Sequence, residues 1–143
     1  MPKVSEILNR KGQDVVGVGP KHSVMDAVRL MNQHRIGAVV VVENKQVVGI
    51  FSERDLLTRI VSKGLHPEKT HIGEVMSTPV AYCAPDTEIA ECRMAMTQKR
   101  IRHLPVIDSG GLVGVISIGD VMAWEISEHQ NTIRYLNEYI YAR

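Results

Sequence analysis

Two copies of a short motif carry the polar side chains that could bind a small molecule. In the first copy a glycine and two apolar residues are followed by Ser52 and, three positions later, by Asp55. In the second copy Ser117 and Asp120 repeat this spacing 65 positions further along the chain. A hydroxyl at a helix start can donate a hydrogen bond to a phosphate oxygen, and a carboxylate can accept from both hydroxyls of a ribose. The spacing therefore predicts a nucleotide site at each copy.

An ordinary helix cap is the alternative interpretation of the same spacing. A serine followed three residues later by an acidic residue satisfies free backbone N–H groups at a helix start and needs no ligand. A single copy would favour that interpretation. Because the motif recurs at the same position of two repeats, we favour a ligand role for both copies.

The motifs end two longer segments that align without a gap, one starting at Pro20 and the other at Pro85. Two copies are too few for a solenoid, so the repeat predicts a pair of halves related by a pseudo-two-fold axis. The identical pairs are Pro20/Pro85, Met31/Met96, Gln33/Gln98, Arg35/Arg100, Ile36/Ile101, Val41/Val106, Val48/Val113, Gly49/Gly114, Ser52/Ser117 and Asp55/Asp120.

Each repeat is predicted to contain a strand, a helix, two further strands and a second helix. In the first repeat Ser23 caps an amphipathic helix, and the β-branched run 36–42 is typical of a buried strand. A turn leads into a strand at 47–51, and a helix at 53–63 ends before Gly64. Alternating strands and helices place the fold in the α/β or α+β class.

The second repeat is predicted to follow the same order. Asp86 is the expected cap of its first helix, which presents Cys92 to the core, and its strands are expected at 104–107 and 112–116. Cys83 is expected in the strand before that helix. The two cysteines are interpreted as small buried side chains, with a redox-sensing pair as the alternative.

A short related lead-in precedes each repeat, at 4–8 and at 72–76. These lead-ins are 68 positions apart rather than 65, so the first has three additional residues, which we expect within 9–13. The predicted units are a first repeat with its lead-in at 1–63, a linker at 64–71, a second repeat at 72–123 and a C-terminal helix at 124–143.

Composition and length exclude several classes of function. The 143 residues suit one domain or two halves that share a core, and a net charge of +1 gives no field for nucleic acid or an anionic membrane. Apolar runs are too short to span a bilayer, and the first residues do not resemble a signal peptide, so we expect a cytoplasmic protein. The sequence has neither a recognisable catalytic triad nor a phosphate-binding loop of the Walker type, which predicts a protein without enzymatic activity.

The doubled motif resembles the tandem CBS-domain module, often called a Bateman module. The strands at 36–42 and 104–107, the lead-in 76–79 and the run 102–106 carry the same resemblance, which covers residues 3 to 123. It implies two βαββα repeats with their sheets packed together and helices outside. It also implies two clefts for adenosine ligands (AMP, ADP, ATP or NAD(H)) and a disk-like homodimer. Because the sequence offers no carboxylate cluster to hold a metal ion, we expect binding without a metal.

The resemblance also assigns residues to each cleft. In the first cleft Asp55 would bind ribose, and Ser52 and Arg54 would bind phosphate. In the second cleft Asp120 would bind ribose, and Ser117 would bind phosphate or ribose. The adenine of the first cleft would contact Val16, Ile36, Gly37 and Ala38, and that of the second would contact Thr78, Pro79, Val80, Ile101 and His103.

The copies differ at charged positions, which predicts unequal clefts. Only the first motif has its own arginine, Arg54, since Ile118 and Gly119 replace Glu53 and Arg54 in the second. Arg102 and His103 replace a glycine and an alanine, and we expect them near the pseudo-two-fold centre, where phosphates from either cleft would converge. His103 could make binding pH-sensitive or could simply pack. The basic run 99–103 lacks interleaved aromatic residues, so nucleic-acid binding is not favoured.

The C-terminal helix has a heptad-like apolar stripe and most of the aromatic residues of the chain. Such a helix either folds over its own module or forms a dimer or partner surface. The stripe consists of Met122, Ile126, His129, Ile133, Leu136 and Ile140, and the aromatic residues are Trp124, Tyr135, Tyr139 and Tyr141.

Together these features predict a non-catalytic regulatory module that binds an adenosine nucleotide and presents a ligand-dependent shape to an unknown partner protein. An enzyme is the main rival class, which the absence of a recognisable catalytic motif disfavours, and a structural dimerisation module with empty clefts is a further alternative. Redox-linked and nucleic-acid-binding regulators are less favoured alternatives.

Overall fold

The computed structural model describes residues 1–12, 14–109 and 111–141, with side chains described up to residue 129. This part of the chain is a mixed α+β fold of six helices and two small sheets. The helix α3 begins as the α-helical segment Glu53–Asp55 and continues as the π-helical segment Leu56–Val61. The elements in order are α1 Val4–Lys11, β1 Gly17–Val18, α2 Val24–His34, β2 Ala38–Glu43, β3 Gln46–Ser52, α3, α4 Ile72–Val75, α5 Ile89–Lys99, β4 His103–Asp108, β5 Gly111–Ser117 and α6 Ile118–Tyr141.

The first repeat forms a three-stranded sheet in the order β1-β2-β3. The β1 and β2 strands are parallel, with Gly17 opposite Val40, and β2 and β3 are antiparallel, with Val39 opposite Phe51. The first four residues of β2 are buried, as its β-branched sequence predicts. The expected cap of α2 is confirmed, because Ser23 Oγ accepts a hydrogen bond from the Asp26 N–H at 3.1 Å.

The second repeat has only two regular strands, β4 and β5, which are antiparallel. The strand expected at Cys83 is reduced to a single parallel bridge to Val106, in which Cys83 N–H donates to Pro105 O at 3.0 Å. The next rung of a parallel ladder would need the backbone N–H of Pro105, which proline lacks. The equivalent position in the first repeat is Val40, which has that N–H group and forms a rung with Gly17.

Asp86 does not cap α5, contrary to the sequence prediction. The stretch before the helix folds into a turn, in which the Ala84 N–H donates to Thr87 Oγ1 at 2.9 Å. The helix begins at Ile89, and its N-cap residue is Glu88, the position that aligns with Ser23 in the first repeat. The predicted cap was therefore two residues too early.

The two repeats share irregular features as well as strands and helices. The helices α2 and α5 both end at an arginine in the left-handed region, Arg35 with φ 54° and Arg100 with φ 53°. Both hairpins have a register shift at the same aligned position, between Val41 and Val42 in the first repeat and after Val106 in the second. These shared irregularities extend the internal repeat from sequence to backbone geometry.

Each repeat has its own core, and the lead-in helices are exchanged between them. Although α1 precedes the first repeat, Val4 and Leu8 pack in the core of the second repeat. The helix α4 precedes the second repeat, yet Ile72 and Val75 pack with Phe51 in the first core. Each lead-in thus packs against the repeat on the other side of the predicted linker at residues 64–71, and not against the repeat that follows it. The two repeats have separate cores and not one shared core.

The motif glycines make room for the exchanged lead-ins. A side chain at Gly49 would collide with Met76, and one at Gly114 would place its Cβ 2.7 Å from Leu8 Cδ2. Leu8 and Met76 are 68 positions apart, so they occupy equivalent places in the two lead-ins. The strands β3 and β5 also contact each other, which brings the two sheets together.

The first part of α6 packs against the second repeat, while its apolar stripe is exposed where it is described. Val121 and Trp124 are buried in the second core, but Met122 and Ile126 are exposed. The side chains of Ile133, Leu136, Ile140 and of Tyr135, Tyr139 and Tyr141 lie outside the described residues. None of the helices described is long and apolar enough to cross a membrane.

Candidate functional site

The first motif lies in a cleft of about 630 Å³ between the two repeats. The helix start after β3 provides one wall, the lead-in after α4 provides a second, and the segment between α5 and β4 provides the third. The lining residues are Ile50, Ser52, Glu53, Arg54, Asp55, Leu57, Ser77, Pro79, Val80, Ala81, Lys99, Arg100, Ile101, Arg102 and His103.

Asp55 is the most deeply placed charged group of this cleft, only 5% exposed. Its Oδ2 accepts from the Ser52 N–H at 3.0 Å, and the Asp55 N–H donates to Ser52 Oγ at 3.3 Å, so the motif does form a helix cap. The Ser77 hydroxyl lies 3.0 Å from Asp55 Oδ1 and 3.2 Å from Oδ2. The Arg59 Nε is 3.6 Å from Oδ1. The carboxylate is thus capped on the backbone side and held by a hydroxyl on the other.

Ser77 reaches Asp55 because the second lead-in pairs with β3. Two backbone hydrogen bonds join Ile50 and Ser77, at 2.8 and 3.1 Å. This lead-in carries part of the family resemblance, but Ser77 was not among the predicted site residues. A hydroxyl residue directly before Thr78 and Pro79 was the available signal, but its partner could be recognised only from the pairing of distant segments.

Positive charge dominates the open side of the cleft. Arg54, Lys99, Arg100 and Arg102 line it, against the two carboxylates of Glu53 and Asp55. Arg54 extends across the cleft, where its Nη1 donates to the Arg100 carbonyl oxygen at 3.1 Å. This distribution favours an anionic ligand whose charge faces the exposed side chains.

His103 faces the same space and is half-buried. Burial lowers the pKa of His103, although the carboxylates of Glu53 and Asp120 act in the opposite direction. The imidazole is therefore mainly neutral at neutral pH, and can both donate and accept hydrogen bonds there.

The remaining lining is apolar and could enclose a flat aromatic base. Pocket walls of this kind, with a few polar groups at fixed positions, are typical of small-molecule sites. The apolar lining residues are Ile50, Leu57, Pro79, Val80, Ala81 and Ile101.

The cleft combines residues that were predicted for two separate clefts. Ser52, Arg54 and Asp55 share it with Pro79, Val80, Ile101, Arg102 and His103, which had been assigned to the second motif or to the centre. The exchange of lead-ins accounts for Pro79 and Val80, because it places residues after α4 beside β3 of the first repeat.

The residues expected around adenine in the first cleft do not line it. Val16 packs against the core of the first repeat, and Ala38 is buried in β2. The Gly37 carbonyl accepts from the Glu53 N–H at 3.0 Å, and Ile36 is partly exposed beside the end of α2. Thr78, expected in the second cleft, is also not among the lining residues, although its neighbours Ser77 and Pro79 are.

The second motif forms the same cap but has a different partner. The Ser117 N–H donates to Asp120 Oδ2 at 2.8 Å, and the Asp120 N–H donates to Ser117 Oγ at 3.1 Å. Lys11 Nζ lies 2.7 Å from the same Oδ2 and donates to the Val115 carbonyl oxygen at 2.8 Å. The ammonium group of Lys11 thus forms an ion pair with the carboxylate that was expected to bind ribose.

Two other candidate features lie away from the cleft. Cys83 and Cys92 are both free and buried in the second core, and a hydrogen bond with Cys92, together with burial, raises the pKa of the Cys83 thiol. Among the residues that the structure describes, no group of three or more His, Cys, Asp or Glu side chains could hold a metal ion.

Comparison with known proteins identifies the family. The CBS domain model matches residues 4–62 and 72–127. The chain therefore belongs to the CBS-domain family, as a tandem pair, which is a regulatory ligand-binding module. This confirms the family predicted from the doubled motif.

Matches to individual relatives cover most of this chain. The chain is 36% identical over 146 residues to the CBS domain-containing protein CBSX3, mitochondrial, of Arabidopsis thaliana, covering 96% of this chain and 71% of that protein. The CBS-domain containing protein ATU1752 from Agrobacterium tumefaciens superposes with a TM-score of 0.82 at 39% identity, covering 87% of this chain and 99% of the other.

A more distant pair was solved with ligands. The CBS domain pair of protein MJ0100, in complex with 5′-methylthioadenosine and S-adenosyl-L-methionine, has a TM-score of 0.79 and 21% identity, covering 90% of this chain and 98% of the other. At that identity the likeness shows the fold alone.

Proposed function

We propose that this chain is a non-catalytic regulatory module that binds an adenosine nucleotide in the cleft around Asp55. The observation that carries the proposal is a buried carboxylate at the base of a cleft whose open side holds four cationic side chains. A nucleotide has a matching order of groups, because its ribose hydroxyls lie between an uncharged base and a charged phosphate chain.

The hydroxyls of the ribose would bind Asp55 in place of the Ser77 hydroxyl. Ser77 now donates to the carboxylate, and a ribose diol can donate to the same two oxygens. Because Ser77 is neutral and its hydroxyl can rotate, it can then donate elsewhere or accept from the ligand. The cap from the Ser52 N–H need not break, since a carboxylate oxygen accepts more than one hydrogen bond.

The phosphates would lie toward Arg54, Arg100 and Arg102. Arginine presents several donors in a planar fork that suits phosphate, so these side chains would distinguish phosphorylated ligands from adenosine itself. The base would lie between the apolar residues of the lead-in and Ile101. A volume of about 630 Å³ is within the usual range for a ligand of this size. The adenosine-containing ligands of MJ0100 agree with this class of ligand.

A homodimer would use the helices that follow the two motifs. Leu57 and Val61 are both 62% exposed on α3, and the residues 65 positions later, Met122 and Ile126, are 53% and 62% exposed on α6. The internal symmetry thus presents the same apolar pair twice. A second copy can cover both pairs with one isologous interface, in agreement with the disk-like assembly that the family resemblance implies.

Nucleotide binding would then change the arrangement of the two repeats that a partner protein recognises. The cleft is formed by both repeats, so a bound ligand favours the arrangement in which its contacts to both are made. A regulated partner that binds one arrangement better would respond to nucleotide concentration.

Calorimetry with AMP, ADP, ATP and NADH tests the proposal, with native mass spectrometry reporting subunit number in the same samples. We expect Asp55→Asn to weaken the best ligand by roughly 100-fold, because it removes a charged acceptor of two hydrogen bonds. Asparagine still accepts from the Ser52 N–H, so the helix cap is retained.

Asp26→Asn is the matched control. Asp26 forms the same cap with Ser23 on α2 but lies outside the cleft and is exposed. The affinity of the Asp26→Asn variant for the same ligand should stay within about twofold of the wild-type value, which is the usual scatter for a surface substitution. Absence of binding by any of these ligands, or equal losses in the two variants, would contradict the ribose role. A monomer at every protein concentration would contradict the dimer.

A further inference from the structure

The second motif and the first have the same cap, yet only at the second does a described cation lie within hydrogen-bond distance of the carboxylate, 2.7 Å for Lys11 against 3.6 Å for Arg59 at the first. We propose that Lys11 closes the Asp120 motif to adenosine ligands, so that each chain holds one nucleotide, at Asp55. This inference rests on the proposed function of the motif carboxylates. It makes Lys11 the residue that determines which of two equivalent carboxylates accepts ligand.

Lys11 occupies one of the two carboxylate oxygens of Asp120 that a ribose diol would need. Its Nζ is 2.7 Å from Asp120 Oδ2 and 2.8 Å from the Val115 carbonyl oxygen, and the Ser117 N–H donates to the same Oδ2. Two donors therefore already converge on one oxygen of a carboxylate that is 24% exposed. A diol could therefore bind both oxygens, as proposed at Asp55, only after it has displaced the ammonium group.

At Asp55 the corresponding partner does not exclude a ligand. Ser77 carries no charge and can act as donor or acceptor, whereas an ammonium group is donor-only. The nearest cation, Arg59, is 3.6 Å from Oδ1, too far for a well-formed hydrogen bond, and its side chain is 44% exposed. The two motifs thus differ in the charge and distance of what faces the carboxylate, and not in the cap.

The additional residues of the first lead-in explain how Lys11 reaches Asp120. Leu8 and Met76 occupy equivalent places against the motif glycines. Beyond Met76 the chain leaves the helix and pairs Ser77 with Ile50. Beyond Leu8 the helix α1 continues for almost another turn, to Lys11. The longer helix brings an ammonium group to a place where the shorter lead-in brings a hydroxyl.

Charge at the second motif supports the same assignment. Glu53 and Arg54 of the first motif are replaced by Ile118 and Gly119, so the second motif provides no arginine for phosphate. A ligand there would lose the cation that the first cleft offers and would also compete with Lys11 for Asp120.

Binding stoichiometry tests the proposal, with adenosine and AMP as probes in calorimetry and native mass spectrometry. We expect one site per chain in the wild type and two in Lys11→Met. At the Asp120 motif, the affinity for adenosine should be at least about tenfold higher in this variant than in the wild type. A tenfold change is the scale of one partly screened charge-assisted hydrogen bond. Methionine keeps most of the apolar stem and suits a helix as well as lysine does.

Matched variants show which carboxylate holds each ligand. Lys11→Arg keeps the cation and should keep one site, and Lys3→Met, which removes an exposed lysine near the other end of α1, should also keep one site. Adding Asp120→Asn to Lys11→Met should remove the gained site, and adding Asp55→Asn should remove the original one. Asp120→Asn alone should leave the wild-type site within about twofold, and this measurement does not require any change to α1.

Each other result has a definite meaning. One site in both the wild type and Lys11→Met would overturn the closure by Lys11 while leaving the Asp55 cleft intact. Loss of a site in Asp120→Asn alone would also overturn it, because Asp120 would then hold ligand in the wild type. Weaker AMP binding at a second site in Lys11→Met than at that site in the wild type would overturn it as well, since Lys11 would then be a phosphate ligand. No site in the wild type but one in Lys11→Met would overturn the proposed role of Asp55 alone, and no site in either would overturn both.

Discussion

Asp55 and Asp120 are the same residue of the same motif, with the same backbone cap, and they meet different partners. Asp55 faces a serine hydroxyl in an open cleft, and Asp120 faces the ammonium group of Lys11. The difference comes from segments outside the motif, namely the lead-ins that pack against each motif glycine. A duplicated motif therefore defines two possible sites, and the segment that packs beside each motif determines which of them is accessible.

The largest expected difference between the two repeats is in the free energy of unfolding, after substitution of the lead-in residue that packs against each motif glycine. Leu8→Ala should lower the free energy of unfolding by about 2–4 kcal/mol, because it leaves a cavity where Leu8 is only 2% exposed. Met76→Ala should cost less, since Met76 is only partly buried. Chemical denaturation measures both values.

Hydrogen exchange of the same variants tests the crossed packing. In Leu8→Ala the loss of protection should be concentrated in β4 and β5, and in Met76→Ala it should be concentrated in β2 and β3. The opposite pattern would mean that each lead-in supports the repeat that follows it in sequence.

A smaller effect is expected at the motif arginine. Arg54→Ala should weaken ADP by about five- to tenfold in calorimetry, because it removes a charge-assisted contact that water partly screens. Adenosine should bind with unchanged affinity, since it has no phosphate. Arg29→Ala on the exposed face of α2 is the control, and equal losses for adenosine and ADP would refute a phosphate role for Arg54.

The smallest effect concerns pH and distinguishes His103 from its aligned counterpart Ala38. The folded protein holds the pKa of His103 below its usual value by burial, so between that lowered pKa and about 6.5 the unfolded chain binds more protons. Stability should therefore fall as pH decreases below about 6.5, by less than about 1.4 kcal/mol per pH unit, the limit for one proton.

Denaturation midpoints of wild type and His103→Gln between pH 5 and 8 measure this contribution. The variant should lose part of the pH dependence. An identical pH profile for the two proteins would show that His103 contributes nothing to it.

Local features of this fold were well predicted from sequence. The caps at Ser52 and Ser117 and the hairpins appear where the repeat placed them, with strand ends shifted by one or two residues. These features depend on side chains close in sequence, such as the β-branched run of β2 and the serine before each motif helix. The missing strand at Cys83 also has a local cause, Pro105, which becomes clear only once its parallel partner is known.

The partners of the carboxylates could not be predicted in the same way. Ser77 and Lys11 are 22 and 109 residues from the aspartates that they contact. Which lead-in packs against which repeat is a question of topology, and the repeat in the sequence is equally compatible with either pairing. Pro79 and Val80, predicted for the second cleft, line the cleft around Asp55 for this reason, and Ile101 and His103 line it from the segment between α5 and β4.

The exchange of lead-ins has a consequence for synthesis on the ribosome. The first core needs Ile72 and Val75, so residues up to 63 cannot complete their packing when they leave the exit tunnel. The waiting segment includes the apolar strand β2, and its exposure would last until the second lead-in has been translated. Such a chain should fold late and as one unit, and the first repeat expressed alone would be a substrate for chaperones.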